Sequence, residues 1–268
     1  MSIHKKINKV SLRTLQSMKN KEPIAMITAY DALFASLFDE EVEMILVGDS
    51  LNMSFLGQKD TLSANLDQMI YHTKAVCNGA KRAFIVFDMP FGSYTTKEEA
   101  LANAIKVYQS TCADAIKIEG GRDKLEIVEY LTKNGIAVVA HIGLMPQSVR
   151  ADGGYIIRGK TQEDKIELLE DAKALEKAGA FMVLLEGMKS DIATTITKTL
   201  KIPTIGIGAG NGTDGQVLVW SDMFGFFEDF KPKFVKRYLD GASLIKDALR
   251  RYTNEVKSRE FPSEDYCY

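Results

Sequence analysis

Short apolar runs alternate with longer amphipathic stretches along most of the chain. The runs rich in Val, Ile, Phe or Leu are 24–30, 43–50, 83–90, 115–121, 137–143, 181–187, 203–210 and 216–223. Their near-continuous hydrophobicity predicts strands buried on both faces. Between and around them, apolar positions at helical spacing predict helices over 11–21, 31–41, 66–80, 96–113, 122–135, 161–180, 190–201 and 241–260. Two of these carry their own punctuation. Thr96 followed by Glu99 reads as a capping box, and Asn134-Gly135 reads as a helix stop.

Strands and helices that alternate in this way imply a parallel sheet with helices on its outside. Eight strands between 24 and 223 suggest a closed (β/α)8 barrel of the TIM type, a fold of ~250 residues. One gap departs from that pattern: five residues, too few for a helix, separate the seventh and eighth runs. An open doubly wound sheet therefore stays in view on pattern alone. The elements use the 268 residues as one barrel domain, with an extra N-terminal helix in 1–22, the strands in 24–223, and an extension with the final helix in 224–268. Three connections are long, at 51–64, 144–160 and 225–240.

Composition adds exclusions. Hydrophobic residues at 46% and charged residues at 26% argue against disorder. With 34 basic against 36 acidic residues, no charge excess draws the chain to nucleic acid or a membrane surface. No apolar run approaches the ~18 residues that span a bilayer, and the N-terminal segment lacks the apolar core of a signal peptide. A cytoplasmic protein is expected. Cys77, Cys112 and Cys267 read as reduced thiols, the first two on helices. With histidines only at 4, 72 and 141 and no H-E-x-x-H or C-x-x-C pair, zinc is not expected.

In barrels and open α/β sheets alike, ligands bind at the carboxyl ends of the strands. Polar residues recur there: Asp49-Ser50, Asp88, Lys117 and Glu119, His141, Glu186, the glycines of GIGAGNG, and Asp222. Any one of them reads equally as a helix cap or a solvated loop residue. Converging on one mouth, they suggest a site. Asp49, Asp88 and Glu119 stand on neighbouring strands and offer oxygen donors with no thiolate, which suits a hard cation such as Mg2+. Lys117 and Glu119, two apart on one strand, share a face. Lys117 there is either a balance for bound ligand charge or one half of an internal salt bridge. Glu186, closing the apolar run FMVLLE, is a candidate proton acceptor or a cap. His141 is either a core histidine or a site residue. GIGAGNG is no dinucleotide fingerprint, because a strand rather than a helix follows it.

The strings ITAYD, VGDSLNM, DTL, MIYHTKAV, DMPFGSY, KIEGG, HIGLMPQS, GGY, LLEG, IGIGAG, DGQVLVWSD and FKPKFVKRY, in this order from about residue 7 to about 255, resemble the ketopantoate hydroxymethyltransferase family. The resemblance implies a (β/α)8 barrel with an extra N-terminal helix. It also implies transfer of a one-carbon unit from 5,10-methylenetetrahydrofolate to 3-methyl-2-oxobutanoate, giving 2-dehydropantoate in pantothenate biosynthesis. It implies Mg2+ on Asp49, Asp88 and Glu119, and substrate contacts from Asp49, Ser50, Asp88, Lys117 and His141. Glu186 becomes the proton acceptor, and the assembly a homodecamer. Asn52 and Met145 depart from the family, which often has Gly and Thr there. Two other readings stand beside it. One is a Mg2+-dependent enzyme of the phosphoenolpyruvate mutase and isocitrate lyase type, for which a reactive loop with a Cys or similar acid would be expected. The other is a barrel that binds a metabolite without turnover.

Overall fold

In the computed structural model, which describes residues 8–229 and 231–268, the apolar runs close on themselves. The strands are β1 (Ile24–Thr28), β2 (Met44–Val47), β3 (Phe84–Asp88), β4 (Ala115–Glu119), β5 (Val138–Gly143), β6 (Met182–Glu186), β7 (Thr204–Ile207) and β8 (Gly215–Leu218). Each pairs in parallel with its sequence neighbour, and β8 pairs with β1, so the sheet is a closed barrel. The open-sheet alternative is excluded. The short link between β7 and β8 carries no helix, and the barrel closes without one. Residues 1–7, with His4, and Phe230 lie outside the described residues.

Helices α1 (Leu12–Met18), α2 (Ala32–Phe38), α3 (Leu51–Ser54), α4 (Leu66–Gly79), α5 (Lys97–Ser110), α6 (Leu125–Lys133), α7 (Gln162–Lys177) and α8 (Ser190–Thr199) belong with the barrel. Their termini follow local chemistry. Thr96 accepts the Glu99 N–H at 3.2 Å, as predicted, but the Glu99 carboxylate turns to Thr95 instead of closing a capping box. The α6 stop is as read from the sequence: Asn134 caps it and Gly135 takes φ +82°.

One strand face shows how the site is built. Successive side chains on a strand point to opposite faces, so positions two apart stack in layers inside a barrel. The core cluster includes Ile24, Met26, Met44, Leu46, Phe84, Val86, Ala115, Val139, Met182, Leu184, Ile205 and Val217. Two residues further along that face come Asp88, Lys117, His141 and Glu186, and Glu119 two beyond Lys117. The barrel is thus apolar in its lower layers and ionisable at its carboxyl end. Leu15 of α1 and Val10 join the same cluster, placing the leading helix at the floor. There Lys19 donates to Asp214 Oδ2 at 2.8 Å and to the Thr197 carbonyl at 3.0 Å. Asp214 Oδ2 also accepts the Thr204 N–H at 2.9 Å.

Three expectations are corrected. The last apolar run is not one strand: β8 stops at Leu218, and α9 (Trp220–Met223) takes up the rest. A short apolar run looks the same in a strand as in a buried helix turn. Asp222 therefore sits on α9 and not at a strand end. The cysteine reading is also overturned, since Cys77 and Cys112 form a disulfide with Cα atoms 5.7 Å apart. Cys77 lies on the last turn of α4 and Cys112 just past the α5 cap, Thr111, so Cys112 is not a helix residue. The two helix ends meet across 35 residues, a separation that no local spacing reveals. Cys267 is free and exposed.

The backbone clusters as two units, one ending at Val219 and the other comprising Trp220–Tyr268. Within the second, Trp220 stacks edge-on against Phe226 at 5.2 Å between ring centroids, and α10 (Gly241–Ser258) is followed by a 3-10 turn at Glu264–Tyr266. No helix among the described residues is long and apolar enough to cross a membrane.

The floor pair supplies a stability prediction. Both Lys19 and Asp214 side chains are nearly inaccessible, at 6% and 4% exposure. Removing one partner strands the other charge, so Lys19→Ala is expected to lower the urea-unfolding free energy by ~3–5 kcal/mol. A loss below about 1 kcal/mol would instead be that of a solvated surface pair.

Candidate active site

Parallel register sets the site before any side chain turns. Asp88 lies opposite Lys117, and Glu119 lies opposite His141. Gly143 lies opposite Glu186, with the Leu144 N–H donating to the Glu186 carbonyl at 2.8 Å. Gly143 has φ +105°, and a Cβ there would stand 2.1 Å from the Glu186 carbonyl oxygen, so only glycine lets β5 end this close to β6.

The side chains complete a continuous network. Lys117 Nζ lies 2.7 Å from Asp88 Oδ1, 3.3 Å from Glu119 Oε1 and 3.4 Å from His141 Nδ1. His141 Nδ1 lies 3.3 Å from Glu119 Oε1, and its Nε2 lies 3.4 Å from Glu186 Oε2. Asp49 joins through its N–H, which donates to Asp88 Oδ2 at 3.1 Å. Asp49, Asp88, Lys117, Glu119 and His141 are each at most 4% exposed, whereas the Glu186 side chain is 19% exposed. Ser50 is beside this network in sequence, but its hydroxyl pairs with the Tyr30 hydroxyl at 2.8 Å.

Burial and charge pull against each other in this network. Burial, reinforced by the Asp88 charge, pushes the Asp49 carboxyl well up. Burial also raises Asp88, although Lys117 opposes it. Burial works against the Lys117 ammonium, yet the surrounding Asp88, Glu119 and Asp49 carboxylates drive its pKa well above the usual lysine value. Glu119 resists burial through Lys117 and His141 and falls to about 2. His141 is pushed down by burial and by Lys117, but Glu119 and Glu186 prevail and lift it to about 9. At neutral pH, Lys117 and His141 are cations.

Two residues that sequence reasoning missed hold this network in place. Gln147, in the 3-10 turn Pro146–Ser148 after β5, donates from its side chain to Asp49 Oδ2 and from its backbone to Glu119 Oε2. The Tyr94 hydroxyl donates to Gln147 Oε1. Both stand in motifs noted above, DMPFGSY and HIGLMPQS, but a neutral loop amide carries no signal of its own. Beside Glu119 opens a cavity of about 190 Å3, bordered by Phe91, Tyr94, Asp123, Met145 and Gln147. Asn52, a departure from the family pattern, is buried and donates to the Asp60 carbonyl and the Ser63 hydroxyl, tying down the loop after β2.

The donor set fits a hard cation chemically. It offers three buried carboxylates and no sulfur, and two of the carboxyls are driven upward by their own burial and charge, an imbalance that a divalent ion offsets. Among the described residues, no three His, Cys, Asp or Glu side chains stand as a ready-made metal cluster. Their oxygens are engaged by Lys117 and Gln147.

Comparison with known proteins decides the family. The family model for Ketopantoate hydroxymethyltransferase matches residues 9–264. The chain belongs to the ketopantoate hydroxymethyltransferase family. A relative named 3-methyl-2-oxobutanoate hydroxymethyltransferase from Aliarcobacter butzleri (strain RM4018) is 60% identical over the whole of both chains. Proteins of the same name from Sulfurimonas denitrificans (strain ATCC 33889 / DSM 1251) and Helicobacter pylori (strain HPAG1) are each 59% identical. They cover 97% and 98% of this chain and 99% and 97% of their own. Membership of the ketopantoate hydroxymethyltransferase family makes the chain a transferase of pantothenate biosynthesis.

Solved structures show a wider likeness of fold. A phosphonopyruvate hydrolase superposes with TM-score 0.62 at 11% identity, covering 97% of this chain and 91% of its own. A 2,3-dimethylmalate lyase of the PEP mutase/isocitrate lyase superfamily gives 0.58 at 17%, covering 96% and 89%.

The His141 cation makes a pH prediction for the metal-free protein. Its pKa rises from an ordinary 6.5 to about 9 on folding. The stabilisation is therefore complete below pH 6.5 and disappears as pH climbs through 9. The unfolding free energy of the parent relative to His141→Gln should fall by roughly 3 kcal/mol between pH 6 and pH 10. A difference that stays constant with pH would mean that folding leaves the imidazole's affinity for its proton unchanged.

Proposed function

We propose that the chain transfers a hydroxymethyl unit from 5,10-methylenetetrahydrofolate to 3-methyl-2-oxobutanoate, giving 2-dehydropantoate and tetrahydrofolate with uptake of water. The observation that carries this reading is one buried network of Asp88, Lys117, Glu119 and His141 that ends on the partly buried Glu186. Asp49, Asp88 and Glu119 would hold Mg2+. When bound, the ion supplies Lewis-acid stabilisation of negative charge on the keto oxygen. A phosphonopyruvate hydrolase of similar fold has been solved with oxalate and Mg++, so a barrel of this kind can take a small carboxylate together with a hard cation.

The chain's own groups do the rest. Lys117, aided by Ser50, neutralises and orients the substrate carboxylate, which fixes the keto carbon relative to Glu186. Glu186 takes the proton from C3 as general base. His141 holds Glu186 Oε2 from one side and Glu119 Oε1 from the other, so the base and a metal ligand keep a fixed spacing. The electron pair left at C3 forms the bond to the methylene carbon of the folate; that bond and one to the oxygen of the water taken up replace the carbon's two bonds to nitrogen, and the C3 proton and one water proton leave on the nitrogens of tetrahydrofolate. The chain works in the cytoplasm as a homo-oligomer, a decamer on the family pattern. In the second unit, the exposed Ile245, Leu249, Tyr252 and Val256 along α10 support an interface, and light scattering measures its size.

Deuterium exchange at C3 of 3-methyl-2-oxobutanoate in D2O with Mg2+, without folate, isolates the first step. Glu186→Gln is expected to slow exchange by ~10²–10⁴-fold, and Glu119→Ala to abolish it. Exchange that persists in Glu119→Ala, or needs no metal, would sink the mechanism. Formation of 2-dehydropantoate only when methylenetetrahydrofolate is supplied decides the donor.

A further inference from the structure

The loop after β5 places one uncharged residue between two candidate ligands, Glu119 at the end of β4 and Asp49 just past β2. Gln147 is 6% exposed, and its backbone N–H, its Nε2 and its Oε1 each have a hydrogen-bond partner. Its backbone N–H donates to Glu119 Oε2 at 3.0 Å. Its Nε2 donates to Asp49 Oδ2 at 2.9 Å and to the Met89 carbonyl at 2.9 Å. Its Oε1 accepts the Tyr94 hydroxyl at 2.5 Å. That hydroxyl in turn accepts the Glu119 backbone N–H at 3.3 Å.

The circuit runs in only one direction. A backbone N–H can donate but never accept, so the Glu119 N–H occupies a lone pair of the Tyr94 hydroxyl. The hydroxyl proton is left to point at Gln147, which fixes that end of the amide as oxygen. The other end is then NH2, and its two protons meet two acceptors, Asp49 Oδ2 and the Met89 carbonyl. A flipped amide would set its oxygen against a carboxylate and a carbonyl. Glu119 thus reaches Asp49 by a closed path through Tyr94 and Gln147, and one oxygen of each carboxylate is tied to the same residue.

We propose that Gln147 is the positioning residue that sets the carboxylates of Asp49 and Glu119 for a shared divalent cation, with Tyr94 fixing the direction of its amide. This rests on the reading of Asp49 and Glu119 as metal ligands. Outer partners of ligating carboxylates commonly govern affinity by ~10–100-fold. The loop 144–160 thereby gains a task at the metal through its first turn.

The test is Mn2+ binding to the full-length protein without substrate, followed by the loss of the free-ion electron paramagnetic resonance signal. Parent, Gln147→Met and Tyr94→Phe are compared, with thermal midpoints of the metal-free forms alongside. Gln147→Met keeps the length of the side chain but can neither donate nor accept well, and is expected to weaken Mn2+ by ~10–100-fold. Tyr94→Phe removes one oxygen and is expected to weaken it in the same direction by less, which keeps the test open if Gln147→Met does not fold. In the C3 exchange assay, the Mn2+ concentration for half-maximal rate should rise in parallel, while the rate at saturating metal changes less. Parent-like Mn2+ affinity in a folded Gln147→Met, or in Tyr94→Phe if that is the variant that folds, overturns the proposal while leaving the metal site standing. A parent that binds no Mn2+ overturns the metal reading, and this inference with it.

Discussion

An ammonium group enclosed by a barrel wall is tolerable only if carboxylates surround it, and Lys117 has Asp88 at 2.7 Å and Glu119 at 3.3 Å. The dependence is mutual. Without Lys117, Asp88 and Glu119 would be two desolvated anions side by side, with Asp49 beside them. Its charge pulls Glu119 down to about 2 and opposes burial at both aspartates. It also presses on His141, which stays cationic only because Glu119 and Glu186 flank it. Proton occupancy across the site is therefore one coupled arrangement rather than five separate ones.

The same physics is used differently at the two ends of the barrel. At the floor, Lys19 and Asp214 form a buried pair whose other partners include Asn20, Thr197 and Thr204, so the pair is answered within the fold. At the mouth, more acids converge than the local cations answer, and burial, with the neighbouring carboxylates, drives Asp49 and Asp88 upward. A closed pair serves stability. An unbalanced cluster next to a cavity of about 190 Å3 is what a ligand or ion can complete.

Much of this was legible from one strand-level rule. Asp88, Lys117, His141 and Glu186 each follow an inward apolar residue at a spacing of two, and Glu119 follows Lys117 likewise, so alternation places them on one wall once closure is granted. What stayed hidden has a common cause. The Cys77–Cys112 bond joins the ends of two helices 35 residues apart, and Gln147 reaches Asp49 across 98 residues. Nothing local marks either contact. The break between β8 and α9 was hidden for the opposite reason: VLVW is apolar enough to suit both a strand and a buried helix turn.

The sequence by itself determined the eight-fold alternation, the identity of the residues at the strand ends and the motifs that mark the family, because these are properties of spacing and residue type. Tertiary structure decided that the sheet closes through β8 and β1, that Lys117 lies between Asp88 and Glu119, and that a neutral glutamine ties Asp49 to Glu119. Closure and convergence depend on register between strands and on loops folding back over the mouth. Those are long-range geometric relations, and a linear pattern of hydrophobic and polar positions does not contain them.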